Sequence, residues 1–251
     1  MIGGWRRQLL ARTVQLRVRS GLTFEQSLSD MLSAVACSVD RPLSIVQIGA
    51  YDGLSWDPLP EFIRSGQHWI TLVEPNPRIT DSLRKAYQKN ELARVLPAAV
   101  SVAGRPSASL WTFREDLCEA YPDFSGSSST SLDHMKQAFS RNAHRFPSLE
   151  WNMKLVDRVE VPCLSLKQVL DHHDMEMIDC LLMDLEGQDY EVIVQLTESN
   201  RRPTLVQIES RFMNARQYED VLIAMRRLGY VASSNREDTL FVLRTRAESS
   251  E

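Results

Sequence analysis

From Leu43 onward, short apolar runs alternate with stretches in which apolar residues return every three or four positions, and this alternation leaves few folds open. The runs at 43–48, 69–73, 95–100, 178–185 and 205–209 predict strands. Ile79, Leu83, Ala86 and Tyr87 predict a helix, as do residues 188–196. So do Tyr218, Val221, Leu222, Met225 and Leu228, ended by Gly229. A shorter helix is expected at 58–65, closed by Gly66. Strand and helix units in series predict a mostly parallel sheet with helices on both faces. The chain closes with apolar stretches at 230–232 and 240–243, split by a polar turn. That ending predicts an antiparallel hairpin at or near one edge of the sheet.

Ahead of the first strand, Phe24, Leu28, Met31, Leu32 and Val35 follow helical spacing, and Thr23 with Gln26 fits a capping box. The first twenty residues hold five arginines and no acid, so they carry +5 in a chain of net charge −4. They predict a basic amphipathic leader helix, either solvated or docked on the core, or else resting on an acidic membrane surface. The organisation expected is a helical extension over 1–40 and an α/β domain over 41–251. Within that domain, residues 114–156 break the rhythm and predict an inserted lid-like or irregular segment. With 43% hydrophobic and 25% charged residues, wholesale disorder is excluded. The acidic balance gives no case for a nucleic-acid partner, and no apolar run is long enough to cross a bilayer. Cys37, Cys118, Cys163 and Cys180 form neither a C-x-x-C pair nor a zinc pattern, which suits reduced thiols in a cytoplasmic enzyme.

Gly49-Ala50-Tyr51-Asp52-Gly53 follows the first strand, where open α/β sheets bind their ligands. Glycine there lets backbone approach a ligand closely. Glu74 ends the second strand, and a carboxylate at that place can accept from both hydroxyls of a ribose. Together they point to an adenosine-containing cofactor. A dinucleotide would need G-x-G-x-x-G, whereas this turn lacks the middle glycine and sets Asp52 where pyrophosphate would lie. The cationic S-adenosylmethionine meets no such repulsion.

Asp184 ends the fourth strand and Glu186 opens the next helix, both beside that cleft. Transfer to an oxygen needs a group to place the acceptor and a group to take its proton. Either acid could serve, although Glu186 also sits where acids offset a helix dipole. Glu209 ends the fifth strand. It could share a magnesium ion with Asp184, or pair with Arg211, and the thin ligand set favours the arginine. Among the histidines, His134 is the candidate base, and Ser128 and Ser129 are candidate substrate contacts in the inserted segment.

The sequence resembles the FkbM family of S-adenosylmethionine-dependent methyltransferases. The resemblance rests on Val46-Gln47-Ile48-Gly49-Ala50-Tyr51-Asp52-Gly53, Val73-Glu74-Pro75-Asn76-Pro77 and Ala98-Ala99-Val100-Ser101. It continues through Val161-Pro162-Cys163-Leu164-Ser165-Leu166, then 178–187 with its D-x-E-G element, and Gln207-Ile208-Glu209. The family often carries Asn in the turn where this chain has Tyr51-Asp52. The resemblance implies a Rossmann-like class I methyltransferase sheet. It also implies a cofactor site of Gly49, Ala50, Tyr51, Asp52, Gly53, Glu74, Pro75, Asn76, Ala99, Val100 and Asp184. The activity implied is O-methylation of a hydroxyl on a sugar, glycan or natural product. The rivals are a nicotinamide-dependent oxidoreductase and a non-catalytic protein docking through its basic leader.

Overall fold

The computed structural model describes residues 24–53, 59, 62, 65–101, 104–172, 177–235 and 237–244. The expected leader helix in residues 1–20 lies outside them, as do the capping box at Thr23 and most of the short helix expected at 58–65. In chain order the strands are β1 (Ser44–Ile48), β2 (Trp69–Val73), β3 (Ala93–Leu96), β4 (Ala99–Val100), β5 (Ser107–Phe113), β6 (Ser128–Ser129), β7 (Val156–Leu164), β8 (Cys180–Met183), β9 (Leu205–Glu209), β10 (Tyr230–Ser234) and β11 (Asp238–Leu243). The helices are α1 (Phe24–Ser38), α2 (Pro77–Tyr87), α3 (Glu115–Ala120), α4 (Leu132–Ala143), α5 (Leu166–His172), α6 (Asp189–Glu198) and α7 (Ala215–Arg227).

One sheet runs in the order β10–β11–β9–β8–β1–β2–β3. β1 pairs in parallel with β2 on one side and β8 on the other, with Ile48 opposite Val73 and Met183. The chain therefore leaves β1 toward β2 and β3, then returns to build β8 and β9 on the far side. That reversal opens a crevice at the carboxyl ends of β1 and β8. β11 runs antiparallel between β9 and β10, so the reversed strand lies one place in from the edge. This is the mostly parallel Rossmann-like sheet with a closing hairpin that the sequence predicts.

Alternate strand residues feed two apolar layers. Ile45, Leu72 and Leu182 pack beneath Leu28 and Leu32 of α1 and Leu83 and Tyr87 of α2. Val46, Ile48, Leu181, Met183 and Ile208 pack against Val169 of α5, Val192 and Ile193 of α6, and Val221 and Met225 of α7. The period of two is why both faces need helices. Local chemistry sets the helix ends. The Asn76 side chain accepts from the Arg78 N–H, with Pro77 in the first turn of α2. Asn214 and Gln217 form a capping box on α7, and Gly229 ends it at φ 95°. Arg41 grips both carboxylate oxygens of buried Asp179, at 2.7 and 2.8 Å, tying the start of β1 to that of β8.

Two expectations are corrected. The run at 95–100 is two strands in two sheets, because Pro97 has no N–H to extend a ladder. The stretch around 114–156 is ordered. β5 and β7 pair antiparallel from Ser107↔Pro162 to Phe113↔Val156, and β4 and β6 complete a second sheet. Between them, α3, α4 and two 3₁₀ turns close over an aromatic cluster built on Phe113, Phe124 and Phe139. Among the described residues no helix is long and apolar enough to cross a membrane.

Candidate functional site

The turn after β1 is pinned to both neighbouring strands. The N–H groups of Gly49 and Ala50 both donate to the Val73 carbonyl, at 2.9 and 3.1 Å, and the Asp184 N–H donates to Ile48 O at 2.9 Å. Gly49 has φ 80°, and a Cβ there would stand 1.8 Å from the Asp184 carbonyl oxygen, so no other residue fits. Tyr51 is left-handed at φ 46°, a region that Asn tolerates far better than Tyr. Two contacts hold it there. Its N–H donates to Glu74 at 3.0 Å, and its hydroxyl meets Ser125 at 3.1 Å.

Glu74 is 4% exposed. One carboxylate oxygen accepts from Tyr51 N–H and the other from Asn76 N–H, at 2.8 Å. Each oxygen keeps a free lone-pair direction for a ligand donor. Burial raises its pKa to about 7 against those two hydrogen bonds. The carboxylate faces a cavity of about 100 Å³, shared with Gly49, Tyr51, Pro75, Ala99, Val100, Ser128, Ser129, Asp184 and Glu186. A second cavity of about 880 Å³ adjoins it through Gly49, Tyr51, Gly126, Asp184 and Glu186, and extends to Ala50, Gln207, Glu209, Arg211 and Asp238.

The family model for the methyltransferase FkbM domain matches residues 47–232, nearly all of this framework. The chain belongs to the FkbM methyltransferase family. No curated protein matches its sequence. Among solved structures, it is similar to an FkbM methyltransferase from Methylobacillus flagellatus, at 11% identity and TM-score 0.43, over 92% of this chain and 58% of that one. It is also similar to fibrillarin from Aeropyrum pernix with natively bound S-adenosyl-L-methionine, at 11% identity and TM-score 0.37, over 80% and 66%. A third is the precorrin-6y C5,15-methyltransferase from Geobacter metallireducens, at 11% identity and TM-score 0.39, over 82% of each chain.

In this FkbM chain the D-x-E-G turn is locked by the inserted segment. Glu186 is left-handed at φ 46°, its carbonyl accepts from Ser129 at 3.5 Å, and its carboxylate lies 3.5 Å from Arg141. Burial, then the negative charge of Asp184, raises its pKa. Gly187 has φ 94°, and a Cβ there would meet the His134 ring at 2.2 Å. His134 is wedged edge-on against Phe212, with ring centroids 4.1 Å apart. Burial lowers its pKa, helped by Arg141 and Arg211. Phe212 also carries the guanidinium of Arg141 at 5.1 Å and that of Arg211 at 4.6 Å.

Glu209 pairs with Arg211 at 2.6 Å, the partner the sequence favours over a shared ion. Among the described residues no group of three or more His, Cys, Asp or Glu is placed to hold a metal. Even so, burial pushes the Glu209 carboxyl up to about 11, together with the charges of Asp184 and Glu186. Asp189, buried at the start of α6, takes the Leu185 N–H at 3.1 Å and supports the turn from below.

Ten of the residues singled out in the sequence thus line one cavity, and Ala50 lines its neighbour. Asp52, Gly53, Asn76 and His134 line neither. Gly53 sits under Leu83 and Tyr87, and the Tyr87 hydroxyl donates to its carbonyl. Asn76 serves as a helix cap and as a donor to Glu74. His134 packs behind the D-x-E-G turn rather than in the cavity. Sequence reasoning missed Arg141, Phe212 and Asp238. One signal for Arg141 was available: it lies seven residues after His134 on α4, on the same helix face. Asp238 is opposite Glu209 in the β9–β11 register, a pairing that only the fold reveals.

Proposed function

We propose that this chain binds S-adenosylmethionine across the carboxyl ends of β1, β2 and β8 and methylates a hydroxyl of a sugar, glycan or other small molecule. The observation that carries this reading is Glu74. It is a buried carboxylate fixed by two backbone N–H groups, with acceptor capacity left on both oxygens, facing the cavity that Gly49 opens. It fits the two hydroxyls of a ribose, and the apolar walls of Pro75, Ala99, Val100 and Leu110 fit an adenine. When bound, the cofactor supplies an electrophilic methyl group. The chain's own residues place and deprotonate the acceptor. Asp184 opens into both cavities, where it can orient the cofactor's amino end or the acceptor hydroxyl. Glu186, raised above the ordinary carboxylate range, is the better match for taking up the hydroxyl proton. Ser128 and Ser129 border the same cavity and offer hydroxyls to a polar acceptor. The free thiols Cys37, Cys118, Cys163 and Cys180 fit a cytoplasmic setting.

Calorimetric titration of S-adenosylmethionine, S-adenosylhomocysteine and NADH into wild type and Glu74→Ala tests the reading. Both adenosyl compounds should bind, NADH should not, and the variant should lose about 1–3 kcal/mol of binding. A folded protein that binds NADH, or neither adenosyl compound, refutes it.

A further inference from the structure

Among the described residues the larger cavity is lined by the acids Asp123, Asp184, Glu186, Glu209, Glu237 and Asp238 and by two cations, Arg141 and Arg211. Both guanidiniums already face carboxylates of the same lining. Arg141 faces Glu186 at 3.5 Å and Arg211 grips Glu209 at 2.6 Å, and both lie over the Phe212 ring. Asp123 is neutralised from outside by Arg145, at 2.6 Å. Among the described lining residues six carboxyl groups thus stand against two guanidiniums, and Asp184 and Asp238 have no ion pair with another described residue. One carboxylate oxygen of Glu209 is buried without any hydrogen-bond partner although the residue is only 4% exposed. The side-chain oxygen of Gln207, on the same wall two residues earlier, is in the same condition. Buried polar atoms left unpaired in a cavity wall mark where a ligand's groups belong.

We propose that this cavity holds an acceptor carrying a protonated amine among hydroxyls, with Glu209 anchoring the ammonium and Gln207 accepting from a neighbouring hydroxyl. The inference rests on the methyltransferase reading and adds the acceptor's charge. S-adenosylmethionine itself carries one net positive charge, which Asp184 can balance. That leaves the Glu209 and Asp238 side of the cavity for a second cation. Burial and the charges of Asp184 and Glu186 raise the Glu209 carboxyl, and a further cation beside it would favour its ionised form. An anionic acceptor would meet unscreened carboxylates and find both arginines already engaged.

Glucosamine, N-acetylglucosamine and glucuronate share one ring and differ in charge, which makes them suitable probes. Each is titrated into the full chain by ligand-observed NMR, with and without S-adenosylhomocysteine, at low salt. Glucosamine should bind at least about tenfold more tightly than N-acetylglucosamine, and glucuronate should not bind. Glu209→Gln keeps an acceptor for Arg211 and should abolish the preference while S-adenosylhomocysteine affinity holds. If Glu209→Gln does not fold, Asp238→Asn should weaken the same preference. Equal binding of the neutral sugar, tighter binding of glucuronate, no binding of glucosamine, or a preference that survives both variants overturns the proposal. A glucosamine preference without any S-adenosylhomocysteine binding keeps the cation site and sinks the cofactor reading. Cofactor binding without the preference does the reverse.

Discussion

Glu74 should couple folding and cofactor binding to pH with opposite signs. Its pKa is about 7 in the folded chain against 4.5 for the ordinary side chain, so the folded state holds the proton more tightly. The stability this contributes is fully present below about pH 4.5 and is lost as pH rises through about 7. At about 1.4 kcal/mol per unit, the gap amounts to about 3 kcal/mol. Glu74→Gln removes the titration. It adds a pH-independent cost of about 1–3 kcal/mol, because an amide can accept from only one of the two N–H groups of Tyr51 and Asn76. Urea unfolding of both proteins between pH 4.5 and 8 should therefore show their stability difference shifting by about 3 kcal/mol in favour of the variant. Ribose hydroxyls donate, so they select the ionised carboxylate. S-adenosylhomocysteine should bind wild type more tightly as pH rises toward about 7 and level off above it, while the variant stays flat. Parallel unfolding curves, offset by a constant amount across the range, would refute the reasoning, since they would mean that burial at Glu74 carries no proton.

Three further outcomes follow from the same geometry. Gly187→Ala should destabilise by about 2–4 kcal/mol through its collision with the His134 ring and its φ of 94°. Adding His134→Ala should recover the steric part in a double-mutant cycle, whereas additive losses would show that the two residues do not meet. Asp179→Ala, which strips the bidentate partner from Arg41 and the acceptor from Ser44 N–H, should cost about 3–5 kcal/mol in chemical unfolding. A loss below about 1 kcal/mol would mean the pair behaves like a surface salt bridge. Asp184→Asn should weaken S-adenosylmethionine about tenfold and leave adenosine unchanged, if Asp184 faces the amino-acid end. Equal weakening of both ligands by calorimetry would place Asp184 elsewhere.

The parts of this protein legible in its sequence are those whose cause is local. β1, β2, β8 and β9 are near-continuous apolar runs because both faces of a central parallel strand are covered. Gly49 and Glu74 are legible because a strand end fixes where each must point. β5 and β7 were not. β7 reads Val-Asp-Arg-Val-Glu-Val-Pro-Cys-Leu, with only Val156, Val161 and Cys163 buried and charges at exposed or half-buried positions, and its partner lies more than forty residues earlier. Nothing local announces a pairing whose strength is non-local. The serine run looked like a loop for a related reason. Ser128 and Ser129 form β6 only because Thr112 and Trp111 present a free edge beside them. His134 shows the limit for site residues. Its residue type suggested a base, and only its position behind Gly187 shows that it shapes the turn instead.

That position bears on how the site is assembled. Gly49, Glu74 and Asp184 stand at strand ends of the large sheet, yet the conformation of Glu186 and Gly187 depends on Ser129, His134 and Arg141 from the inserted segment. Tyr51, on the other rim, leans on Ser125 of that same segment. Two left-handed non-glycine residues, Tyr51 and Glu186, therefore line one cavity, each tied to the insert. Left-handed backbone costs such residues about 1–2 kcal/mol each and persists only where neighbours over-determine it. Loosening the insert should then relax both rims together, even though it supplies neither Glu74 nor Asp184. Substitutions that loosen the insert should accordingly shift acceptor and cofactor binding together, whereas a change at a single wall residue such as Glu209 should shift acceptor binding alone. Substitutions in α4 that change which acceptor fits will also be felt at the turn that Glu74 holds.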